Sequence, residues 1–214
     1  MPFGRRDNER HSKARLRQLC QKRLPAAYHL NPINDIQVLT PMQRGVIGAI
    51  SLNNELQNAL NPETVMLRHG GTEYRLHDKV MQKRNNYDKG VFNGDIGIIS
   101  AIDTEERELT VLFDGETAKY DISELDELSL SYATTIHKAQ GSEYPIVVLP
   151  VLMTHYVMLQ RNLIYTGITR AKKLLVVIGS RKVLALAIRN NSVTKRNTRL
   201  AYRIRDFAAR TEQV

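Results

Sequence analysis

The residue types best suited to chemistry are concentrated in TTIHKAQGSE, which runs from Thr134 to Glu143 between two predicted strands. A strand that ends in hydroxyls and continues into a glycine-containing loop places donors at the carboxyl edge of an α/β sheet, where ligands bind. Thr134, Thr135 and the Gly141 amide could hold phosphate oxygens, while Glu143 could accept a hydrogen bond from a ribose hydroxyl. Alternatively, the two threonines are helix caps and His137 is a surface residue, and chemistry alone favours that alternative.

Two further segments place an arginine next to a predicted strand. Arg170 precedes LLVVIG (174–179), where an arginine can stabilise charge that develops on a γ-phosphate during phosphoryl transfer. Arg44 lies in TPMQRG, between the predicted strand IQVLT (36–40) and a predicted helix, and helix N-termini attract anions. The structural alternatives are a solvated loop for the first segment and a simple turn for the second.

The elements that must position these residues alternate between helices and strands. Leucines at spacings of three and four predict the first helix, and apolar runs bounded by turn residues predict the strands. The order predicts a parallel sheet that is covered on both faces. The predicted elements are a helix over 10–24, a turn-rich connector over 25–35, a strand over 36–40, a helix from Gly45 to about Leu60, strands over 130–135, 146–150 and 174–179, and a helix over 181–188.

Between Thr64 and Glu127 the pattern changes to short β runs separated by turns, which predicts a small barrel-like insertion. Asp114-Gly115 is a hairpin signal. Ten acidic residues within 103–127 face only two basic ones, so much of the insertion is a poor surface for phosphate. The predicted strands are TVMLR (64–68), KVMQK (79–83), DIGIISAI (95–102), ELTVLF (108–113) and TAKYDI (117–122).

The net charge of +9 comes from the two ends of the sequence. Residues 1–23 hold eight basic and two acidic residues, and residues 181–214 hold nine and two, so 24–180 carry −4. Basic ends can attract phosphate or can be solvated helix faces. The single cysteine, Cys20, excludes an internal disulfide and fits a reducing cytoplasm, where we expect it to be a small apolar helix residue. The sequence has neither an apolar run of about 20 residues nor a secretory signal, so no membrane partner is expected.

Taken in order, TPMQRG, DKVMQKRNNYDKGVFNGDIG, TTIHKAQGSEYPIVVLP and NLIYTGITRAKKLLVVIG resemble the RecD/TraA group of superfamily 1B helicases, relatives of the exodeoxyribonuclease V alpha subunit. The resemblance extends from about Leu19 to Ile188. It implies an α/β fold in which a RecA-like second motor domain is interrupted by a small SH3-like β barrel. The implied domains are 1–68 and 129–190 for the RecA-like domain, 69–128 for the barrel, and 191–214 for a basic tail.

The resemblance also implies roles for individual residues. Arg170, as the arginine finger, and Arg44 are expected to approach the γ-phosphate as catalytic residues. Nucleotide binding falls to Gln140, Gly141, Glu143 and Tyr165, and single-stranded DNA binding to Thr134, Thr135, His137 and Asn93. Gln82, Asn85, Asn86, Gly94 and Asp95 belong with Asn93 to a block that the family uses near DNA, and a turn-forming role is an open alternative for all six residues. No metal ligand is expected in this chain.

A motor of this family needs G-x-x-x-x-G-K-[ST] and an acidic pair for Mg²⁺, and the sequence contains no such loop. We therefore expect ATP and Mg²⁺ to bind only with an N-terminal helicase domain, in the same natural chain or in a separate one. The implied function is the C-terminal half of an ATP-dependent DNA helicase that moves 5′ to 3′ and works with recombination or repair subunits. It predicts an inactive chain in isolation. The alternative is a non-catalytic nucleic-acid-binding or adaptor domain.

Overall fold

The computed structural model describes residues 3–191, 199, 202–205 and 207, so most of the predicted tail over 191–214 lies outside the described residues. In chain order the elements are α1 (Phe3–Gln18), a π-helical turn (Leu19–Arg23), α2 (Leu24–Tyr28), β1 (Ile36–Thr40), α3 (Ala49–Leu60), β2 (Met66–His69), β3 (Thr72–Arg75), β4 (Lys79–Gln82), β5 (Ile96–Asp103), β6 (Glu108–Phe113), β7 (Glu116–Asp121), a 3₁₀ turn (Ile122–Glu127), β8 (Leu128–Leu130), β9 (Ala133–Thr135), β10 (Tyr144–Val151), a second 3₁₀ turn (Met153–Met158), α4 (Arg161–Ile168), β11 (Ala171–Gly179) and α5 (Arg181–Arg189).

A parallel sheet with the strand order β11-β10-β1-β9 organises the described residues. In its register, Val38 of β1 lies between Ala133 of β9 and Val148 of β10, and Val148 pairs in turn with Val176 of β11. All five residues of β1 are buried, as expected for a central strand with both faces covered. The predicted parallel α/β architecture is confirmed.

Helices cover both faces of this sheet. On one face, Leu52 and Leu56 of α3 pack with Leu16 and Cys20 in a core that continues into the β insertion. On the other face, α4 and α5 pack against the sheet in a second core. Cys20 is therefore a buried free thiol, and burial raises its pKa to about 12.

The insertion is a five-stranded antiparallel sheet, in the order β7-β6-β5-β4-β8, with the β2–β3 hairpin beside it. Asp114-Gly115 forms the turn between β6 and β7, where Gly115 has φ +95°, so the predicted hairpin is confirmed. A Cβ at Gly97 would lie 2.5 Å from Val111 Cγ1, so strands β5 and β6 pack closely only because Gly97 has no side chain. The SH3-like insertion predicted from the resemblance is confirmed.

A buried carboxylate joins the insertion to the parallel sheet. Asp78, at the start of β4, accepts hydrogen bonds from Gln57 Nε2 (2.6 Å) and Asn61 Nδ2 (2.7 Å), both from the α3 end of the RecA-like domain. It also accepts bonds from Tyr132 Oη (2.8 Å) and the Arg75 amide (2.7 Å). Burial raises the pKa of Asp78, and these donors oppose that rise by stabilising the charged form. The buried carboxylate of Asp78, which accepts hydrogen bonds from these four donors, thus links the insertion to the parallel sheet.

Lys79 forms a second link at the same junction. Its side chain is buried, and Nζ lies 3.4 Å from the carbonyl of Ile36 and 5.9 Å from the centre of the Tyr144 ring. Burial lowers the pKa of Lys79 to about 8, although Asp35 acts in the opposite direction. A lysine from the insertion therefore reaches the amino ends of β1 and β10.

Four details of the predicted elements are corrected. LSYATT (130–135) is not one strand, because β8 belongs to the insertion and β9 to the parallel sheet, with only Ser131 and Tyr132 between them. The connector begins after Tyr28, because Pro25 lies in the first turn of α2, where no backbone donor is required. The helix predicted from Gly45 begins at Ala49. Two elements escaped prediction, the polar strand β3 and the short helix α4.

Candidate nucleotide and nucleic-acid interface

The loop over 136–143 joins the carboxyl end of β9 to the amino end of β10. Because these strands are parallel, the loop must cross the full height of the sheet. Thr135 starts it as a cap: its Oγ1 accepts the Lys138 amide (3.3 Å) and its carbonyl accepts the Ala139 amide (3.1 Å). Gly141, at φ +93°, lets the chain turn towards β10. One loop therefore supplies residues to both edges of the sheet.

At the carboxyl edge, the loop and the insertion enclose a polar groove of about 680 Å³. It brings His137 and Gln140 of the loop opposite Asn93 of the turn before β5, all three of which were predicted site residues. The predicted DNA-binding residues His137 and Asn93 thus share one groove. Gln140, which was predicted to bind nucleotide, lines this groove and also a cavity of about 380 Å³ shared with Thr166 of α4, whose carbonyl accepts a hydrogen bond from Arg170. The lining residues are Met81, Lys83, Asn93, Gly94, Asp95, His137, Lys138, Gln140 and Ser142.

A second cavity of about 210 Å³ lies beside this groove, and Lys83 and Lys138 line both spaces. Thr134 lines the smaller cavity, together with Gln43 of the TPMQRG segment, but its side chain is only 4% exposed. Neither lysine makes an ion pair within the part of the chain that the structure describes. The two ammonium groups outnumber the single carboxylate, Asp95, among the described residues that line the groove, while Asp126 lines the smaller cavity. Sequence reasoning assigned no role to either lysine, although both lie within the quoted motifs.

The segment 82–95 owes its shape to a buried carboxylate, Glu127. Its oxygens accept hydrogen bonds from Gln82 (2.9 Å), Arg84 (2.8 Å) and Asn86 (3.1 Å). Burial raises the pKa of Glu127, but these three donors outweigh it and the net shift is downward. Gln82 and Asn86 therefore support the shape of this segment, which is the alternative to a direct role in DNA binding. Nothing in the sequence marked Glu127, because it lies in an acidic stretch outside any strand.

The same segment presents Asn93 at the groove. Asn85 Oδ1 accepts the Asn93 amide (2.9 Å), and Asp95 Oδ2 accepts the Phe92 amide (2.7 Å). Gly94 has φ +101°, which the turn requires and which other residues rarely adopt. The Asn93 side chain stays exposed, so a turn-forming backbone and a ligand-facing side chain coexist there.

At the opposite, amino edge of the sheet, Arg170 is held by three oxygen acceptors. Its guanidinium donates to the Thr166 carbonyl (3.2 Å), the Ser142 carbonyl (3.0 Å) and Thr169 Oγ1 (3.1 Å). The Tyr144 amide in turn donates to the Arg170 carbonyl (2.8 Å). Arg170 is thus half-buried between the end of α4 and the loop 136–143, with its planar group positioned before any ligand arrives.

Glu143 and Tyr165 lie beside Arg170. Glu143 forms a surface ion pair with Lys172 (3.3 Å), and both side chains are more than half exposed. Such pairs contribute about 0–1 kcal/mol, so Glu143 can exchange this partner for a hydroxyl ligand at little cost. Tyr165 is exposed on α4, one helical turn before Thr169, whose amide donates to the Tyr165 carbonyl. The nucleotide-binding roles of Glu143, Tyr165 and Gly141 stay predictions.

The sheet separates the two candidate catalytic arginines. Arg44 follows β1 at the carboxyl edge, where it is exposed, and Arg170 precedes β11 at the amino edge. In the register, the end of β1 is level with Ile178, seven residues beyond Ala171, or about 23 Å at 3.3 Å per residue. The strands that carry the two arginines thus end and begin at opposite edges of the sheet, and the approach of both arginines to one γ-phosphate stays a prediction. Arg44 lies on the same edge as His137 and Thr134.

The described residues hold neither a metal-binding cluster nor a helix that could span a membrane. They contain no group of three or more His, Cys, Asp or Glu side chains placed to hold a metal ion. The amino edge offers an arginine, a carboxylate and an aromatic ring, but no phosphate-binding loop. Among the described helices, none has the length and apolar character needed to cross a membrane.

Two domain families match this chain. Residues 52–113 match the ATP-dependent RecD-like DNA helicase SH3 domain, and residues 130–178 match the UvrD-like helicase C-terminal domain. The first match covers most of the insertion, and the second runs from the end of β8 to the end of β11 and contains the whole loop 136–143.

Relatives of known name agree with these matches. The ATP-dependent RecD2 DNA helicase of Deinococcus radiodurans is 40% identical over 170 residues, 79% of this chain and 23% of that protein. The RecBCD enzyme subunit RecD of Haemophilus influenzae is 28% identical over 179 residues, 81% of this chain and 26% of that protein. The chain therefore spans about a quarter of the length of these relatives. The Pif1 helicase from Bacteroides, solved with ADP-AlF3 and ssDNA, shares the fold over the whole chain and 54% of its own length, with a TM-score of 0.56 and 17% identity.

Proposed function

The chain belongs to the RecD-like DNA helicases, of which it carries the SH3 domain and the UvrD-like C-terminal domain, and we propose that it binds single-stranded DNA and completes the nucleotide site of an ATP-dependent motor. The single observation that carries the proposal is the loop 136–143, which reaches a basic polar groove at one edge of the sheet and Arg170 at the other. A motor must connect these two activities, and here one loop contacts both candidate sites.

In this proposal, DNA lies in the groove between the loop and the insertion. Lys83 and Lys138 attract the phosphates, while His137 and Asn93 donate hydrogen bonds to the backbone. Thr134 lines the smaller cavity beside the groove, and Thr135 caps the loop that lines the groove. Arg44 supplies a further positive charge on this edge, so we assign it to a DNA phosphate.

The nucleotide lies at the amino edge. ATP supplies the phosphoryl group, while the phosphate loop and the Mg²⁺ ligands come from an N-terminal helicase domain of the same natural chain or of a separate one. Arg170 offsets negative charge on the terminal phosphate, Glu143 accepts from a ribose hydroxyl, and Tyr165 packs against the base or ribose. Gly141 allows the close approach of the loop. Gln140 lies on the loop between the two edges and contacts the DNA in the groove.

The relatives suggest the wider setting. One relative is named a subunit of the RecBCD enzyme, which supports a place beside other recombination or repair subunits. Movement from 5′ to 3′ is proposed on the family resemblance.

A chimaera tests the proposal. This chain replaces the matching quarter of the Deinococcus radiodurans RecD2 helicase, and DNA-stimulated ATP hydrolysis is measured. We expect Arg170→Ala to lower kcat by about 10³-fold or more, as loss of an arginine finger does. Arg44→Ala should instead raise the DNA concentration needed for half-maximal stimulation. Arg189→Ala, an exposed arginine at the end of α5, is the matched control. A folded chimaera in which Arg170→Ala keeps the full rate would favour the adaptor alternative.

A further inference from the structure

Two aromatic rings project from the insertion next to the groove. Tyr87 is 78% exposed and Phe92 is 47% exposed, and their ring centres are 6.0 Å apart in an edge-to-face arrangement. Scattered exposed apolar residues are ordinary on protein surfaces. Two exposed rings that contact each other at the tip of one loop are a different feature, because together they offer an aromatic surface to solvent.

The loop that carries the rings is held in place. Asn86 and Val91 form a bridge with two backbone hydrogen bonds (2.8 and 3.1 Å). Asn86 Nδ2 binds the buried carboxylate of Glu127, and Lys89 Nζ binds Glu124 (2.7 Å). An aromatic ring on such a support loses little conformational entropy when it binds, since only its side-chain torsions remain to be fixed.

The charge and position of the rings indicate their occupant. Phe92 directly precedes Asn93, which lines the groove, and Asn85 links the two sites by binding the Asn93 amide and donating to Tyr87 Oη (3.4 Å). The neighbouring groove carries the unpaired cations Lys83 and Lys138, which suit a phosphate backbone. A DNA strand whose phosphates lie along the two lysines would place its bases next to the two rings.

We propose that Tyr87 and Phe92 form a stacking platform for unpaired bases of single-stranded DNA that leaves the groove. This rests on the proposed function, because the groove must first bind DNA. An unpaired base has a free π face that stacks on an aromatic side chain, whereas a base inside a duplex has none to offer. The platform is sequence-tolerant, and it selects single strands over duplex.

The sequence contains no tryptophan, so Tyr87→Trp gives the 214-residue chain a single indole reporter. The protein is titrated with a thymidine oligomer and with an abasic oligomer of equal length, while anisotropy of a dye on the DNA reports binding separately. We expect the thymidine strand to quench the indole strongly and the abasic strand to leave it unchanged. Equal effects of the two strands, or binding without quenching, would overturn the platform.

Affinity gives a second measurement. Tyr87→Leu and Phe92→Leu keep an apolar side chain but remove the ring, and each should weaken binding by about 5- to 150-fold with an unchanged salt slope. Tyr87→Phe should bind as the unaltered chain does. Tyr28→Leu removes an exposed tyrosine on α2 and serves as the matched control. If the unaltered chain shows no salt-sensitive binding, the proposed function fails. If the unaltered chain binds DNA and both leucine variants bind it equally well, only the platform fails. The same conclusion holds if those variants bind DNA normally but impair the RecD2 chimaera, because the rings would then pack on another protein domain.

Discussion

Arg44 and Arg170 lie at opposite edges of one parallel sheet, about seven strand residues apart. In the proposed function one edge faces DNA and the other faces the nucleotide, and the loop 136–143 connects the two edges. Arg170 donates to the Ser142 carbonyl, five residues along the chain from His137 in the groove. A displacement of Arg170 would therefore act directly on the backbone of the loop that lines the DNA groove, without passing through the sheet.

The isolated chain should not hydrolyse ATP at a measurable rate, with or without single-stranded DNA. The sequence has no glycine-lysine phosphate loop, and the described residues hold no metal-ligand cluster. Phosphate release by purified protein is the measurement. Turnover above background that Arg170→Ala abolishes would contradict this prediction.

Binding of single-stranded DNA should weaken as salt rises, because cations are released from the strand when lysines neutralise its phosphates. Lys83→Ala and Lys138→Ala should each reduce the slope of log K against log salt by about 0.7, the value for one phosphate on a single strand. Anisotropy titrations at several salt concentrations measure the slope. Lys182→Ala, on α5 away from the groove, should leave it unchanged, and an equal change in that control would remove the assignment to the groove.

Asp78→Ala should be strongly destabilising. The change leaves the donors of Gln57, Asn61 and Tyr132 buried without an acceptor, a loss typically worth about 3–5 kcal/mol in the free energy of unfolding. Urea denaturation measures it. Asp126→Ala removes an exposed acid paired with His69 and should cost less than about 1 kcal/mol. A comparable loss in both variants would contradict the junction described above.

Stability should rise with pH in the alkaline range because of Lys79. Its pKa of about 8 in the folded protein is lower than in the unfolded chain, so above pH 8 the unfolded chain binds more protons and deprotonation favours folding. The expected gain is about 2 kcal/mol between roughly pH 7 and pH 9.5. Asp35 and the Tyr144 ring face the ammonium, and burial raises the pKa of Tyr144, so its hydroxyl stays protonated in this range. Lys79→Met should remove the slope, and an equal slope in that variant would exclude Lys79 as its source.

The sequence predicted the parallel strands, the insertion and the site segments, because apolar runs and turn residues report local structure directly. It could not predict the contacts of Asp78 and Glu127, which depend on partners up to 54 residues away. The sequence also could not show that Arg44 follows a strand at one edge of the sheet while Arg170 precedes a strand at the other edge. Motif order along the chain does not reveal which edge of the sheet a residue occupies until the strand register is known. The sequence could not predict that Lys83 and Lys138 line one groove, because they come together only in the folded chain.

The central position of β1 governs the order in which this chain can assemble. Val38 pairs with Ala133, so β1 waits for its first partner strand, β9, which is synthesised 95 residues later. At about 5–20 residues per second, a ribosome needs roughly 5–20 s to make that stretch. The insertion consists of neighbouring antiparallel strands, whose short loops close quickly, so it should fold during this interval. The apolar strand IQVLT stays unpaired until then, which makes the nascent chain a substrate for chaperones at that segment.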